Sequence, residues 1–173
     1  MKKFKVAVSL SVAALMGSLL VPTLSLAASK SQNMPVQAQV NANCNFTTTN
    51  TMAFTGYDPS DPAGPNLDGT VDLGVRCTRG ALVTIGIGPG GNAGAVAGSD
   101  RAMRIGATAN VLGYDLYREA ARTTKWTDSG AGLVSFSPAT NAPTTIPIFG
   151  RVPGGQDVPA GTYTDIVVVT VNY

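Results

Sequence analysis

The sequence predicts an all-β fold, a single sandwich or barrel, from three observations. Apolar residues recur at every second position through most of the chain, where a helix would repeat them every third or fourth. Glycine and proline, 20 and 11 of 173 residues, gather between those runs. Helix patterning is confined to residues 119–122, one turn at most. Short alternating runs separated by turn residues are the pattern of a sandwich or barrel.

The runs follow in order. Met34, Val36, Ala38 and Val40 alternate with polar residues and with Pro35. Val71, Leu73, Val75 and Cys77 alternate with Asp72, Gly74 and Arg76. Val83, Ile85 and Ile87 follow, then Leu112, Tyr114 and Leu116, then Ile146 and Ile148, where Phe149 complicates the facing. The run 166–171 is apolar on both faces, as in a strand covered on both sides. Residues 58–65, 88–92, 128–130 and 153–155 are loops by their glycine, proline and aspartate content. No linker divides these runs, so one core is expected. The run at 34–40 stands apart: it follows a polar stretch, and it could pair within its own domain or elsewhere.

The N-terminus reads as a secretory leader, residues 1–27. A basic start with Lys2, Lys3 and Lys5 precedes the uncharged apolar run 6–21, and Pro22 ends any helix. Cleavage is expected after Ala27 or Ala28. Export to an oxidising compartment makes a disulfide the default state of the pair Cys44 and Cys77.

Composition removes much chemistry. The chain has no histidine, which excludes Ser-His-Asp and Cys-His catalysis and imidazole metal ligands. Two cysteines cannot form a four-cysteine zinc site. Setting aside the three leader lysines leaves nine basic against ten acidic residues, so no electrostatic reason to bind nucleic acid remains. The segment 86–91 matches G-x-G-x-x-G but lacks a following helix, so it reads as a hairpin loop. Asp58, Asp61 and Asp68 lack the spacing of a calcium loop and read as a solvated turn. Asn45-Phe46-Thr47 is formally a glycosylation sequon, placed in or beside a strand. Arg101 and Arg104 are expected as solvent-facing strand residues. Trp126, Tyr114 and Tyr117 are expected to pack core and rim; the rival use is a sugar-stacking platform. No enzyme activity, cofactor or metal is expected.

Several blocks resemble one family. They are Val36-Gln-Ala-Gln-Val40 leading to Cys44; Val75-Arg-Cys77-Thr; Leu112-Gly-Tyr-Asp-Leu-Tyr-Arg118 with Ala120-Ala-Arg-Thr123; Ile146-Pro-Ile-Phe-Gly-Arg151; and Pro159-Ala-Gly-Thr-Tyr-Thr-Asp165 running into Val169-Thr-Val-Asn-Tyr173. The chain resembles the spore coat U domain family, and within it the Csu-type subunits of archaic chaperone–usher pili. The loop 58–65 departs from the pattern by looking expanded, and Pro35 departs by interrupting ladder bonding.

The resemblance implies an incomplete immunoglobulin-like β-sandwich, residues 43–173, completed by a donor strand from a neighbouring subunit. It implies that residues 28–42 are the donor segment, with Met34, Val36, Ala38 and Val40 entering the neighbour's groove. Ile166, Val167, Val168, Val169 and Val171 would form the acceptor-groove edge. The implied partners are a periplasmic pilus chaperone, an outer-membrane usher and other pilin subunits in a head-to-tail polymer. The implied destination is a cell-surface pilus, reached through the periplasm and serving attachment and biofilm growth. A single domain favours a shaft or minor subunit over a two-domain tip adhesin. The rival readings are a secreted self-assembling coat protein and a small carbohydrate-binding module.

Overall fold

A computed structural model of the chain describes residues 27–173. The leader expectation therefore lies, apart from Ala27, outside the described residues. Residues 27–43 contain no strand and every one of them is exposed. Met34, Val36 and Val40 are each more than 80% exposed, at 81%, 82% and 82%.

Gln39–Tyr173 forms one compact unit. Its strands are β1 (Cys44–Thr49), β2 (Leu67–Cys77), β3 (Val83–Ile87), β4 (Arg101–Arg104), β5 (Val111–Tyr117), β6 (Val134–Phe136), β7 (Thr144–Val152) and β8 (Val169–Asn172). They make two antiparallel sheets, ordered β1-β2-β7-β5-β4 and β6-β3-β8. This is an all-β, immunoglobulin-like sandwich, as the alternation predicts. A single 3-10 turn at Gly130–Gly132 is the only helical element among the described residues. Residues 119–122, the one helix candidate, form a turn instead, with Arg122 at φ 52°.

The period-two residues of β2, β3 and β5 build the core. Leu73, Val75, Val83, Ile85, Ile87 and Leu116 are buried, with Trp126 and Ile148 packed among them. β2 begins four residues before the predicted run, because Leu67 to Val75 pair continuously with Val152 to Thr144 of β7. Phe149 turns outward, and the Arg122 guanidinium lies 5.7 Å from its ring centre. At β1 the ladder slips between Phe46 and Thr48. Gly74 makes the slip possible, since a Cβ there would lie 2.5 Å from the hydroxyls of Thr47 and Thr48.

Cys44 and Cys77 are register partners in β1 and β2 and are joined by a disulfide. β1 is an edge strand whose residues after Cys44 are all exposed, so little burial holds it. The crosslink therefore carries much of its attachment. Cys44→Ser is expected to lower stability by about 2–5 kcal/mol, read as a drop in the urea midpoint. An unchanged midpoint would show that β1 holds without it.

Two sequence expectations are corrected here. Arg101 does not face solvent: it is 1% exposed and points inward from β4. The run 166–171 is not covered on both sides. Its odd positions face the core, while Ile166 and Val168 are 83% and 68% exposed, and its ladder to β3 begins only at Val169.

Candidate functional site

The sandwich is open along one side. Among the described residues β1 pairs only with β2, and β8 only with β3, so each ends its sheet. Between the segment 46–54, continuing from β1, and the segment 163–169, leading into β8, lies a cavity of about 490 Å³. Its floor is the inner face of the larger sheet, including Val71, Leu73, Ile148 and Leu116. A second cavity of about 510 Å³ adjoins it, sharing Met52, Phe54, Met103 and Tyr163, and extends past Leu67 and Val158. Together they form a groove running along the sandwich toward the end where β2 begins. The residues that a complete sandwich would cover form its floor.

Both rims are anchored. On one, Phe54 packs against the inner sheet so closely that a Cβ on Gly150 would lie 2.6 Å from its ring. Phe54 also stacks at a tilt on Tyr114, 6.2 Å between ring centres. On the other, Arg104 of β4 exchanges two backbone hydrogen bonds with Thr164. The next residue, Asp165, accepts a hydrogen bond from the Tyr114 hydroxyl at 2.8 Å and from the Gly91 N–H at 3.0 Å. Burial, reinforced by Asp165, pushes the Tyr114 hydroxyl far above the ordinary tyrosine range, so it stays a donor. Past this anchor, Gly88 donates to the Val168 carbonyl at 2.8 Å. Apart from that bond, residues 166–168 have no ladder pairing among the described residues, so this stretch leaves backbone groups free along an edge.

Of the residues singled out from sequence, Val167 and Val169 line the groove with Ile166, and Val171 packs against the core beyond them. Val168 points outward. Met52, Phe54 and Tyr163 were missed by sequence reasoning. Met52 and Phe54 carry a weak period-two signal, two apolar positions beside a proline-rich loop.

The rejected motifs find structural employment. The glycines at 86–91 carry the chain from β3 into turns. Asp58 accepts from the Ser60 amide and hydroxyl, and Asp61 from the Ala63 amide. Asp68 pairs with Arg151 and Arg122, and the Arg151 bond holds its carboxyl below the usual range. Trp126 is wholly buried and donates to the Ile85 carbonyl at 2.9 Å. Tyr114 is buried as well. A sugar-stacking platform of Trp126, Tyr114 and Tyr117 is thereby removed, because an aromatic face inside the core cannot meet a ligand.

The fold and groove together define a class: an immunoglobulin-like sandwich with an apolar groove between an edge strand of each sheet. The comparisons make this particular. Residues 30–170 match the Spore Coat Protein U domain. Over 157 residues the chain is 35% identical to "Protein U" of Myxococcus xanthus, covering 85% of this chain and 87% of that protein. The chain belongs to the Spore Coat Protein U domain family. Its fold is also similar to a chain in the crystal structure of the CsuC–CsuE chaperone–tip adhesion subunit pre-assembly complex from the archaic chaperone–usher Csu pili of Acinetobacter baumannii. That likeness has a TM-score of 0.55 at 21% identity, over 78% of this chain and 40% of that one.

Proposed function

We propose that the protein is a structural subunit of a chaperone–usher pilus and polymerises by donor-strand exchange. The observation that carries this reading is the groove, floored by core residues of the larger sheet and flanked, among the described residues, by an edge strand of each sheet. The segment 28–42 supplies the complementary half. Met34, Val36, Ala38 and Val40 lie on alternate positions and all are exposed. In an extended chain they fall on one face. Inserted into a neighbour's groove, that face would meet the apolar floor while its backbone bonds the edge at 166–171. The contact joins two different surfaces, so it propagates head to tail and does not close. The similarity to a chaperone–subunit complex supports a periplasmic chaperone as the first occupant, ahead of an outer-membrane usher and the next subunit. Export, surface display, attachment and biofilm growth follow from that assembly. The family's description favours one second reading, a self-assembling coat, which would use the same strand addition without a regular fibre. Electron microscopy of assembled material separates the two.

The test uses a chain lacking residues 1–42 and a synthetic peptide of residues 28–42. Refolded alone, the truncated chain is expected to aggregate. Refolded with peptide, it is expected to give a soluble one-to-one complex. At a peptide concentration of roughly 100 Kd the stabilisation is about 3 kcal/mol. A truncated chain that stays monomeric, unfolds cooperatively and ignores the peptide would overturn the proposal.

A further inference from the structure

Building on the donor-strand reading, we infer that successive subunits also dock end to end through opposite charges: Arg76 and Arg79 of one copy against Asp58, Asp61 and Asp157 of the next. The first observation is the distribution of charge along the sandwich. One end holds the Cys44–Cys77 pair, the 78–82 turn and the 137–143 loop, since Val83 pairs with Phe136 and Gly80 donates to the Pro138 carbonyl. Among the described residues, the only charged side chains at this end are Arg76 and Arg79, both exposed. The opposite end, where Leu67 pairs with Val152, gathers the loops 56–66 and 153–163. There Asp58, Asp61 and Asp157 are exposed and make no ion pair among the described residues.

The acidic end is held in shape. Tyr57 donates to the Pro153 carbonyl at 3.2 Å, and Asn66 accepts from the Gly154 N–H at 3.1 Å, tying the two loops together. Pro59, Pro62 and Pro65 limit the backbone between them. Asp58 is held below the usual carboxyl range by the Ser60 hydroxyl, so it stays anionic through neutral pH.

The second observation is the length of the tether. Only residues 41–43 separate Val40, the last donor position, from Cys44. At the full extension of a chain, Val40 and Cys44 are at most about 14 Å apart. A donor seated to Val40 therefore brings its own arginine end directly against its acceptor. If the donor left at the acceptor's arginine end, like charges would face each other and both tethers would crowd one surface. Leaving at the acidic end, it sets arginines against aspartates. The charges thus select the direction of the donor in the groove, N-terminus toward the acceptor's Cys44 end. Leu82, 83% exposed in the same turn as Arg79, lies on the docking face.

The experiment compares two events on the same proteins. One is binding of the 28–42 peptide, which carries a donor but no arginine end; the other is polymerisation of whole subunits, scored by light scattering. R76E/R79E is expected to bind peptide as wild type does and to polymerise about tenfold slower at low salt. The difference should shrink at high salt, where the charges are screened. Mixed with a D58K/D61K acceptor, R76E/R79E should recover most of the rate. Wild-type polymerisation by R76E/R79E at low salt, or no recovery with the reversed acceptor, overturns the docking while leaving the groove reading intact. Failure of the peptide to bind wild type overturns the groove reading, and the docking with it.

Discussion

Val40→Asp is expected to abolish donation while leaving the subunit's own fold and its groove intact. Val40 is 82% exposed in the single chain, so a carboxylate there meets water and costs the domain little. Seated in a neighbour's apolar groove, the same carboxylate would lose its hydration without a partner, a penalty of several kcal/mol unless it takes up a proton. Each 1.4 kcal/mol is about tenfold in affinity, so exchange should fall below detection. Gln39→Glu, one position over, faces away from the groove in an extended strand and should be tolerated. The two substitutions add the same charge to adjacent residues, so net charge cannot explain a difference between them. Each mutant is mixed with wild type, and stable oligomers are scored on a gel run without boiling. Equal loss from both would sink the proposed facing of the segment. Misfolding of the Val40→Asp subunit with its groove occupied would show that the segment belongs to its own domain.

Arg101→Met should destabilise the sandwich by about 2–5 kcal/mol. The guanidinium donates to the carbonyls of Ile87 and Trp126 at 2.7 Å and of Gly88 at 2.9 Å. It thereby ties β4 of the larger sheet to the end of β3 in the smaller one. Methionine replaces the apolar stem of the arginine but ends short of the guanidinium and has no donor, so it would leave those carbonyls without this partner. Burial lowers the Arg101 pKa, opposed by nearby Tyr114 and Asp115, yet arginine stays charged at any physiological pH. Arg101→Lys keeps the charge but not the planar fork, and should lose an intermediate amount. Urea unfolding of subunit with peptide in its groove gives the comparison. A loss below about 1 kcal/mol for Arg101→Met would mean that neighbouring groups satisfy those carbonyls unaided.

Period-two alternation located β2, β3 and β5 to within a few residues, because which side of a strand faces apolar surroundings is written locally. The disulfide was legible from an even cysteine count together with the expectation of export, and Trp126 packs in the core, the reading the sequence favoured over a sugar platform. The residue blocks also pointed to the right family. β1 was less clear: after Cys44 its residues are exposed and rich in threonine, so no hydrophobic signal marks it. Arg101 was misread because a polar label implies solvent. Its burial depends on carbonyls from residues 87, 88 and 126, which only the packing of two sheets brings to one point.

The groove divides in the same way. The amino-acid sequence by itself determined that this chain is built of alternating strands, carries one crosslink, and has an alternating apolar segment ahead of its first cysteine. Tertiary structure decided which strands end their sheets among the described residues, that Met52 and Phe54 form one rim, and that a groove floored by the larger sheet runs between β1 and the segment leading into β8. Alternation depends on nearest neighbours along the chain, whereas a missing partner depends on which strands, far apart in sequence, come to lie side by side.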